Sequence, residues 1–267
     1  MTKHRLIIVG GGNMGSALVG GLLAAGWPSK DIAVAERLAG RAAHLRGLFP
    51  GVTVSDGMLP ADGVVIAVKP HDVADAVAAA GASRLLSIAA GVSLATLTAA
   101  CGDGVAVVRG APNTPAVVAK GAAAVAAGPY ATEDDLVWAE EILGAVGTVV
   151  RVTEPQLDVV TALSGSGPAY LFLVAEALTD AGVLAGLPRG VTEQLVGQLL
   201  AGSAALFAES GRSPAALRAE VTSPAGVTAS ALRVLEERGI RSAFLDAVTA
   251  GTARSRELGA AAASGAH

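Results

Sequence analysis

Short apolar runs alternate with helix-like stretches over the first half of the chain, and the alternation then stops. RLIIVG at 5–10 reads as a strand, and 13–26 as a helix. DIAVAE (31–36) predicts a second strand, followed by a helix to about Phe49. VTV (52–54) and GVVIAV (63–68) are further strands, with a helix from about His71 to Ala80. RLLSIAA (84–90), VAVVRG (105–110) and GAAAVAAG (121–128) continue the series, which ends with a helix at 132–145 and GTVVRV at 147–152. Strands that are apolar almost throughout, separated by helices, predict a mostly parallel sheet covered on both faces.

Beyond Thr153 only helical patterns remain. SGSGPAYLFLVAEALTDAGVLAGL (164–187) opens on serines and glycines, passes Pro168 near a helix start, and continues as a long apolar helix. PRGVTEQLVGQLLAGSAALFAES (188–210) carries Val191, Leu195, Leu199, Gly202 and Leu206 at helical spacing. Shorter helices are expected at about 214–221, 224–238 and 241–258. Apolar or small residues run most of the way round the longer helices, a pattern of burial on most sides. A segment of about 105 residues meets that need against a second chain, so a homodimer or higher homo-oligomer is expected. The domain division read from these patterns is 1–153 and 154–267.

Composition narrows the picture. Hydrophobic residues make up 52% of the 267 and aromatics only 3%, which favours close helix packing. The net charge is −4 with no basic tract, so a nucleic-acid partner is not expected. The single cysteine, Cys101, excludes an intrachain disulfide and reads as core filler in a reducing compartment. Residues 6–29 carry no charge and follow Lys3, His4 and Arg5, as a signal peptide or membrane span would. Seven glycines and Asn13 interrupt that run, and its strongly apolar part, Leu6–Val9, is four residues long. A strand, a glycine-rich turn and a helix explain it better, so the expectation is a cytoplasmic protein outside the membrane.

That turn reads GGGNMG. Gly10, Gly12 and Gly15 match G-x-G-x-x-G directly between strand and helix, with Asn13 and Met14 inside the motif. The glycines allow a tight turn and close approach of a pyrophosphate, which the helix amino terminus then attracts. Glu36 closes the second strand about 20 residues on, as the dinucleotide fingerprint expects. Its carboxylate suits the ribose hydroxyls of NAD, whereas neighbouring Arg37 suits the 2′-phosphate of NADP, and both stay open. Ala67 and Val68 end a buried strand and Lys69 and Pro70 follow it, at the sheet edge where such folds bind ligands. His71 reads as a helix-start residue rather than a general acid. RGAPNTP (109–115), stiffened by Pro112 and Pro115, predicts a rim beside the nicotinamide with Asn113 and Thr114 as polar contacts.

TSPAGVT (222–228) interrupts the apolar helices with a proline, a glycine and hydroxyls. It reads as an anion-binding helix mouth: Ser223 as N-cap, Pro224 at the first helical position, and the N–H groups of Ala225, Gly226 and Val227 facing a ligand. Thr228 stands one residue further on.

GGGNMG, AVKP, PNTPA, ALSGSGPAYLFLVAEALTDAGV and VTSPAGVTASALRVLE occur in the order seen in pyrroline-5-carboxylate reductases, and the chain resembles that family from Arg5 to about Leu258. The resemblance implies a Rossmann-type domain followed by an all-α domain that interlocks with a second copy. It implies reduction of L-1-pyrroline-5-carboxylate to L-proline, the last step of proline biosynthesis, by hydride from NADP(H), favoured, or NAD(H), without a metal. On this footing Thr228 matches the threonine that hydrogen-bonds substrate and assists proton delivery, and Ser223 with the following amides matches the carboxylate cradle. Gly165 and Gly167 would permit close approach, and Ser166 is a candidate ligand contact.

The chain departs from the family in three places. The family usually reads PGGTT where Pro224, Ala225, Gly226, Val227 and Thr228 stand; it often has Met at the position of Ala111; and it commonly has QT at Gln198–Leu199. Two other readings therefore stay open: a related cyclic imine or ketimine reductase acting on another ring, and a non-catalytic NADP(H)-binding paralogue.

Overall fold

The computed structural model describes residues 3–264. Its first part runs β1 (His4–Val9), α1 (Asn13–Ala24), β2 (Ile32–Ala35), α2 (Ala39–Leu48), β3 (Thr53–Ser55), β4 (Ala61–Ile66) and α3 (Val73–Ala78). It continues with β5 (Arg84–Ser87), α4 (Leu94–Cys101), β6 (Ala106–Ala111), β7 (Gly121–Ala127), α5 (Glu133–Gly144) and β8 (Gly147–Arg151). Then come α6 (Glu154–Val160), a π-helical turn at Thr161–Gly165, α7 (Gly167–Leu184), α8 (Arg189–Ser210), α9 (Pro214–Glu220), α10 (Val227–Glu237) and α11 (Ile240–Ser264).

The eight strands form one sheet in the order β3-β2-β1-β4-β5-β6-β7-β8, parallel except where β6 meets β7. The expected mostly parallel sheet is present. Side chains alternate across it. Leu6 and Ile8 of β1 enter one core with Leu18 and Leu22 of α1, and Ile7 and Val9 enter the other with Ile66 and Leu85. Successive strands run outward from β1 through β2 to β3 on one side and from β4 on the other, so a switch point lies between β1 and β4. Val9 pairs with both Ala35 and Ile66, which brings the carboxyl ends of β1, β2 and β4 level. Gly10, Glu36 and Ala67 leave the sheet together at that edge.

Two helices escape the sequence reading. In α4, Ser93 caps the start by accepting from the Thr96 N–H at 3.1 Å, but threonines and alanines blur its apolar period. In α6, Thr153 and Gln156 form a reciprocal capping box, and Leu157 is fully buried in the second core.

The described residues up to Ser166 form one compact unit with those from Thr249 onward, and Gly167–Val248 form a second. This differs from the division at 153/154. The reason is that Leu157 packs into the core under the sheet, and Ser255 Oγ of α11 donates to Asp158 Oδ1 at 2.8 Å. The C-terminal stretch from Gly259 is helical to Ser264, and the last three residues of the chain lie outside the described ones. Cys101 ends α4 at the core margin, where burial pushes its thiol pKa up and makes it a poor nucleophile.

In the second unit α7 and α8 approach closely at Gly182, where a Cβ would lie 2.5 Å from Thr192 Cγ2. Only Thr192 and Val196 of these two helices are buried. Leu171, Phe172, Leu173, Leu195, Leu199 and Phe207 are all more than half exposed, far more apolar surface than a monomer leaves to water.

Candidate functional site

The glycine turn divides its glycines by job. Gly10 has φ +102° and a Cβ there would sit 2.8 Å from the Ala67 carbonyl oxygen. A Cβ on Gly11 would strike Leu45 at 2.3 Å, and one on Gly15 would lie 2.0 Å from the Gly10 oxygen. Those three are demanded by the fold. Gly12 is different: it has φ −69°, and nothing lies within 4 Å of its missing side chain. It is also the N-cap of α1, with no side-chain cap. The first intrahelical bond is Ser16 N–H to the Gly12 carbonyl at 2.8 Å. Hence the N–H groups of Asn13, Met14 and Gly15 have no partner within the helix. Asn13 is exposed, whereas Met14 packs its side chain on the core. Bare backbone, open space and free donors at a helix start fit a dinucleotide pyrophosphate.

Glu36 is engaged by the protein's own donors. It is 5% exposed, and its carboxylate accepts from Gly11 N–H at 3.0 Å, Leu38 N–H at 2.8 Å and Arg41 Nη1 at 3.3 Å. Burial raises its pKa, but the Leu38 and Gly11 amides and the Arg41 guanidinium outweigh this and hold it below the usual carboxylate range. Both oxygens are engaged by protein donors, so Glu36 braces the glycine turn against the loop after β2. Sequence reasoning missed Gly11 and Arg41, because neither belongs to the spaced motif. Arg37 is exposed and pairs with Asp72 at 2.8 Å.

Ala67 and Val68 wall the turn: Ala67 N–H bonds the Val9 carbonyl at 2.8 Å, and Val68 Cγ1 lies 3.0 Å from the position of a Gly10 Cβ. Lys69 is exposed and precedes a short 3₁₀ turn, Pro70–Asp72. Asn113, expected as a substrate contact, is 8% exposed. Its Nδ2 donates to the Ser164 carbonyl at 2.9 Å and its Oδ1 accepts from Ala122 N–H at 2.8 Å. The residue is a strut for the π-helical turn, which Ser166 N–H closes on the Thr161 carbonyl at 2.8 Å. Ser166 itself is exposed just beyond that turn. Such turns recur at functional sites.

The helix mouth is displaced from its expected place. Helix α10 begins at Val227, not Pro224, and its N-cap is Gly226, without a side-chain cap. Ser223–Gly226 instead form a β-turn closed by Gly226 N–H to the Ser223 carbonyl at 3.1 Å. Pro224 takes the second position and Ala225 the third, left-handed at φ +57°. That is the type II pattern, which wants glycine at the third position. The turn takes the place of the expected cap, and the Ser223 hydroxyl lies against Gly226, where a Cβ would come within 2.2 Å of it. The groups without an intrahelical acceptor are therefore the N–H of Val227, Thr228 and Ala229, since Ser230 N–H already bonds the Gly226 carbonyl. The sequence reading missed Ala229 and placed the donors two residues early. Val227 is 89% exposed, Thr228 is half-buried, and no acidic residue stands in the first turn. Because alanine resists the left-handed region, Ala225→Gly is expected to stabilise the protein by about 1 kcal/mol, read as a raised melting temperature.

A pyrophosphate turn at a parallel-sheet switch point and an uncapped helix start free of acid are the equipment of a dinucleotide-dependent reductase with an anionic substrate. Comparison with known proteins bears on both parts. Residues 154–258 match the model for pyrroline-5-carboxylate reductase dimerisation, and residues 5–96 match one described as NADP oxidoreductase, coenzyme F420-dependent. The chain is 41% identical to a pyrroline-5-carboxylate reductase of Corynebacterium melassecola over 95% of its own length and 98% of that relative. A solved pyrroline-5-carboxylate reductase of Coxiella burnetii superposes with a TM-score of 0.90 at 36% identity, covering 96% of this chain and 99% of that one. The Plasmodium falciparum pyrroline carboxylate reductase, solved with NADP bound, gives 0.82 at 27% identity over 97% and 99%. The chain belongs to the pyrroline-5-carboxylate reductase family.

Its reaction is the reduction of L-1-pyrroline-5-carboxylate to L-proline with NAD(P)H, NADP(H) being favoured. The exposed apolar residues of α7 and α8 lie within the segment that matches the dimerisation model, and the protein is a homo-oligomer. One stretch among the described residues, Glu154–Leu184, is long and apolar enough to cross a membrane by length and composition; it falls within that module.

Proposed function

We propose that the mouth of α10 holds the substrate carboxylate and that the Thr228 hydroxyl serves the ring nitrogen. The observation carrying this reading is the set of free N–H groups at Val227, Thr228 and Ala229, beside a turn in which Gly226 must stay bare. Three converging donors and the positive end of a helix favour an anion. Ser223 is exposed at the rim of the same turn and offers a further hydroxyl.

When bound, the reduced nicotinamide supplies a hydride, two electrons and a proton, to the imine carbon. The chain's own part is to orient the ring and to direct a donor at the nitrogen. Fixing the reacting atoms at short distance is worth on the order of 7–11 kcal/mol at best, so most of the catalysis belongs to positioning. Gly10, Gly12 and Gly15 with Asn13 and Met14 shape the phosphate turn, Ala67 and Val68 wall it, and Lys69 and Pro70 border it.

The carboxylate assignment is tested with 1-pyrroline, which keeps the imine but lacks the acid group. Its kcat/KM is expected to fall about 10–100-fold below that of L-1-pyrroline-5-carboxylate, the worth of charge-assisted hydrogen bonds. Equal values for both rings would mean that the carboxylate contributes no binding energy, and the role given to the α10 mouth would fall. A dimer built on α7 and α8, residence in the cytoplasm and the absence of a nucleic-acid partner complete the proposal. They are supported by the exposed apolar rows, the single cysteine and the net charge of −4.

A further inference from the structure

Once Glu36 is taken up by Gly11, Leu38 and Arg41, the loop after β2 offers a cation rather than a carboxylate to the adenosine ribose. That cation is Arg37, whose side chain is 71% exposed. It is not free. Its Nη2 lies 2.8 Å from Asp72 Oδ1, and the other carboxylate oxygen lies 3.3 Å from His71 Nε2. Arg37 follows β2 and Asp72 follows β4, the two strands that flank β1, so the ion pair links the loops on either side of the glycine turn.

We propose that Asp72 is a specificity-determining residue: by holding Arg37 it reduces the advantage of a cofactor with a 2′-phosphate over one with a 2′-hydroxyl. The inference rests on the reading that the glycine turn holds a dinucleotide. A 2′-phosphate gains Arg37 only after the guanidinium leaves or shares Asp72, and it then stands close to a like charge. A hydroxyl meets neither cost. Because the groups are partly exposed, solvent and salt moderate the effect. Removing the Asp72 charge is expected to raise the ratio of kcat/KM for NADPH over NADH by about 1.5-fold to fivefold, the scale of one exposed charge pair.

The experiment compares the wild-type chain with Asp72→Asn and Asp72→Ser, each alone and with Arg37→Gln. Steady-state kinetics are run with both cofactors, and calorimetry with 2′,5′-ADP and 5′-AMP as probes. Both Asp72 variants should raise the NADPH/NADH ratio and tighten 2′,5′-ADP but not 5′-AMP. The gain should shrink toward onefold when Arg37 is replaced, which a merely structural role would not produce. An unchanged ratio in variants that still bind both cofactors overturns the proposal, and so does a gain of full size without Arg37. If the wild-type chain binds neither probe, the cofactor reading itself fails and takes the proposal with it.

Discussion

Replacing Thr228 with alanine is expected to lower turnover of L-1-pyrroline-5-carboxylate by about 10–1000-fold, the cost of losing one positioned polar group in a reaction of this kind. Thr228 is the second residue of α10, half-buried, beside the free N–H groups that form the mouth. The product needs a proton at the ring nitrogen, and this is the hydroxyl nearest to those donors in sequence. Alanine is the better helix former, so α10 keeps its start and the protein its melting temperature. The hydroxyl belongs to the proposed carboxylate mouth and not to the glycine turn, so NADPH affinity should stay as in the wild type. Serine at 228 keeps the hydroxyl and should restore most of the rate, which separates proton-side chemistry from the threonine methyl. Steady-state kcat for the alanine and serine variants, with thermal melting as the control, decides the matter. An alanine variant turning over at the wild-type rate would remove Thr228 from the mechanism.

What could be read from the sequence was what is local. The apolar strands and the glycine turn announce themselves because each depends on neighbours a few residues away. The parallel sheet follows from their alternation. Helix α4 was obscured because threonines and alanines fill the positions that would show a period, and α6 because its only advertisement is the Thr153–Gln156 capping box. Glu36 illustrates a different limit. Its position after β2 is legible, but its engagement depends on the Gly11 and Leu38 amides, and backbone groups leave no mark in a sequence. Asn113 reads as a polar residue on a rim, yet the β6–β7 connection turns it inward to bond Ser164 and Ala122. At the second site two local rules compete. Ser-Pro is a good helix start, but a proline followed by a left-handed residue is also a type II turn, and the turn wins. The departure from PGGTT at Ala225 marks that very position, since the family's glycine there is what such a turn demands.

Introducing valine at Gly12 is expected to weaken NADPH binding by about 100-fold or more while leaving the fold intact, the larger cost falling where a side chain meets ligand rather than protein. Gly12 has φ −69° and ψ −171°, extended backbone that a β-branched residue adopts without strain. Nothing beyond its chain neighbours lies within 4 Å of the added Cβ, so the melting temperature should fall only by the few degrees that a poorer N-cap costs, about 1 kcal/mol. The same space is the approach to the uncapped start of α1, and a valine filling it keeps a pyrophosphate from the Asn13, Met14 and Gly15 amides. Gly15→Ala supplies the contrast. Its Cβ would sit 2.0 Å from the Gly10 oxygen, so the turn must open and stability falls together with binding. Titration of NADPH fluorescence and thermal melting on both variants separate the two roles. Wild-type NADPH affinity in the valine variant would mean that the open face of Gly12 is not where the phosphates lie, and the free amides at the start of α1 would lose their assignment.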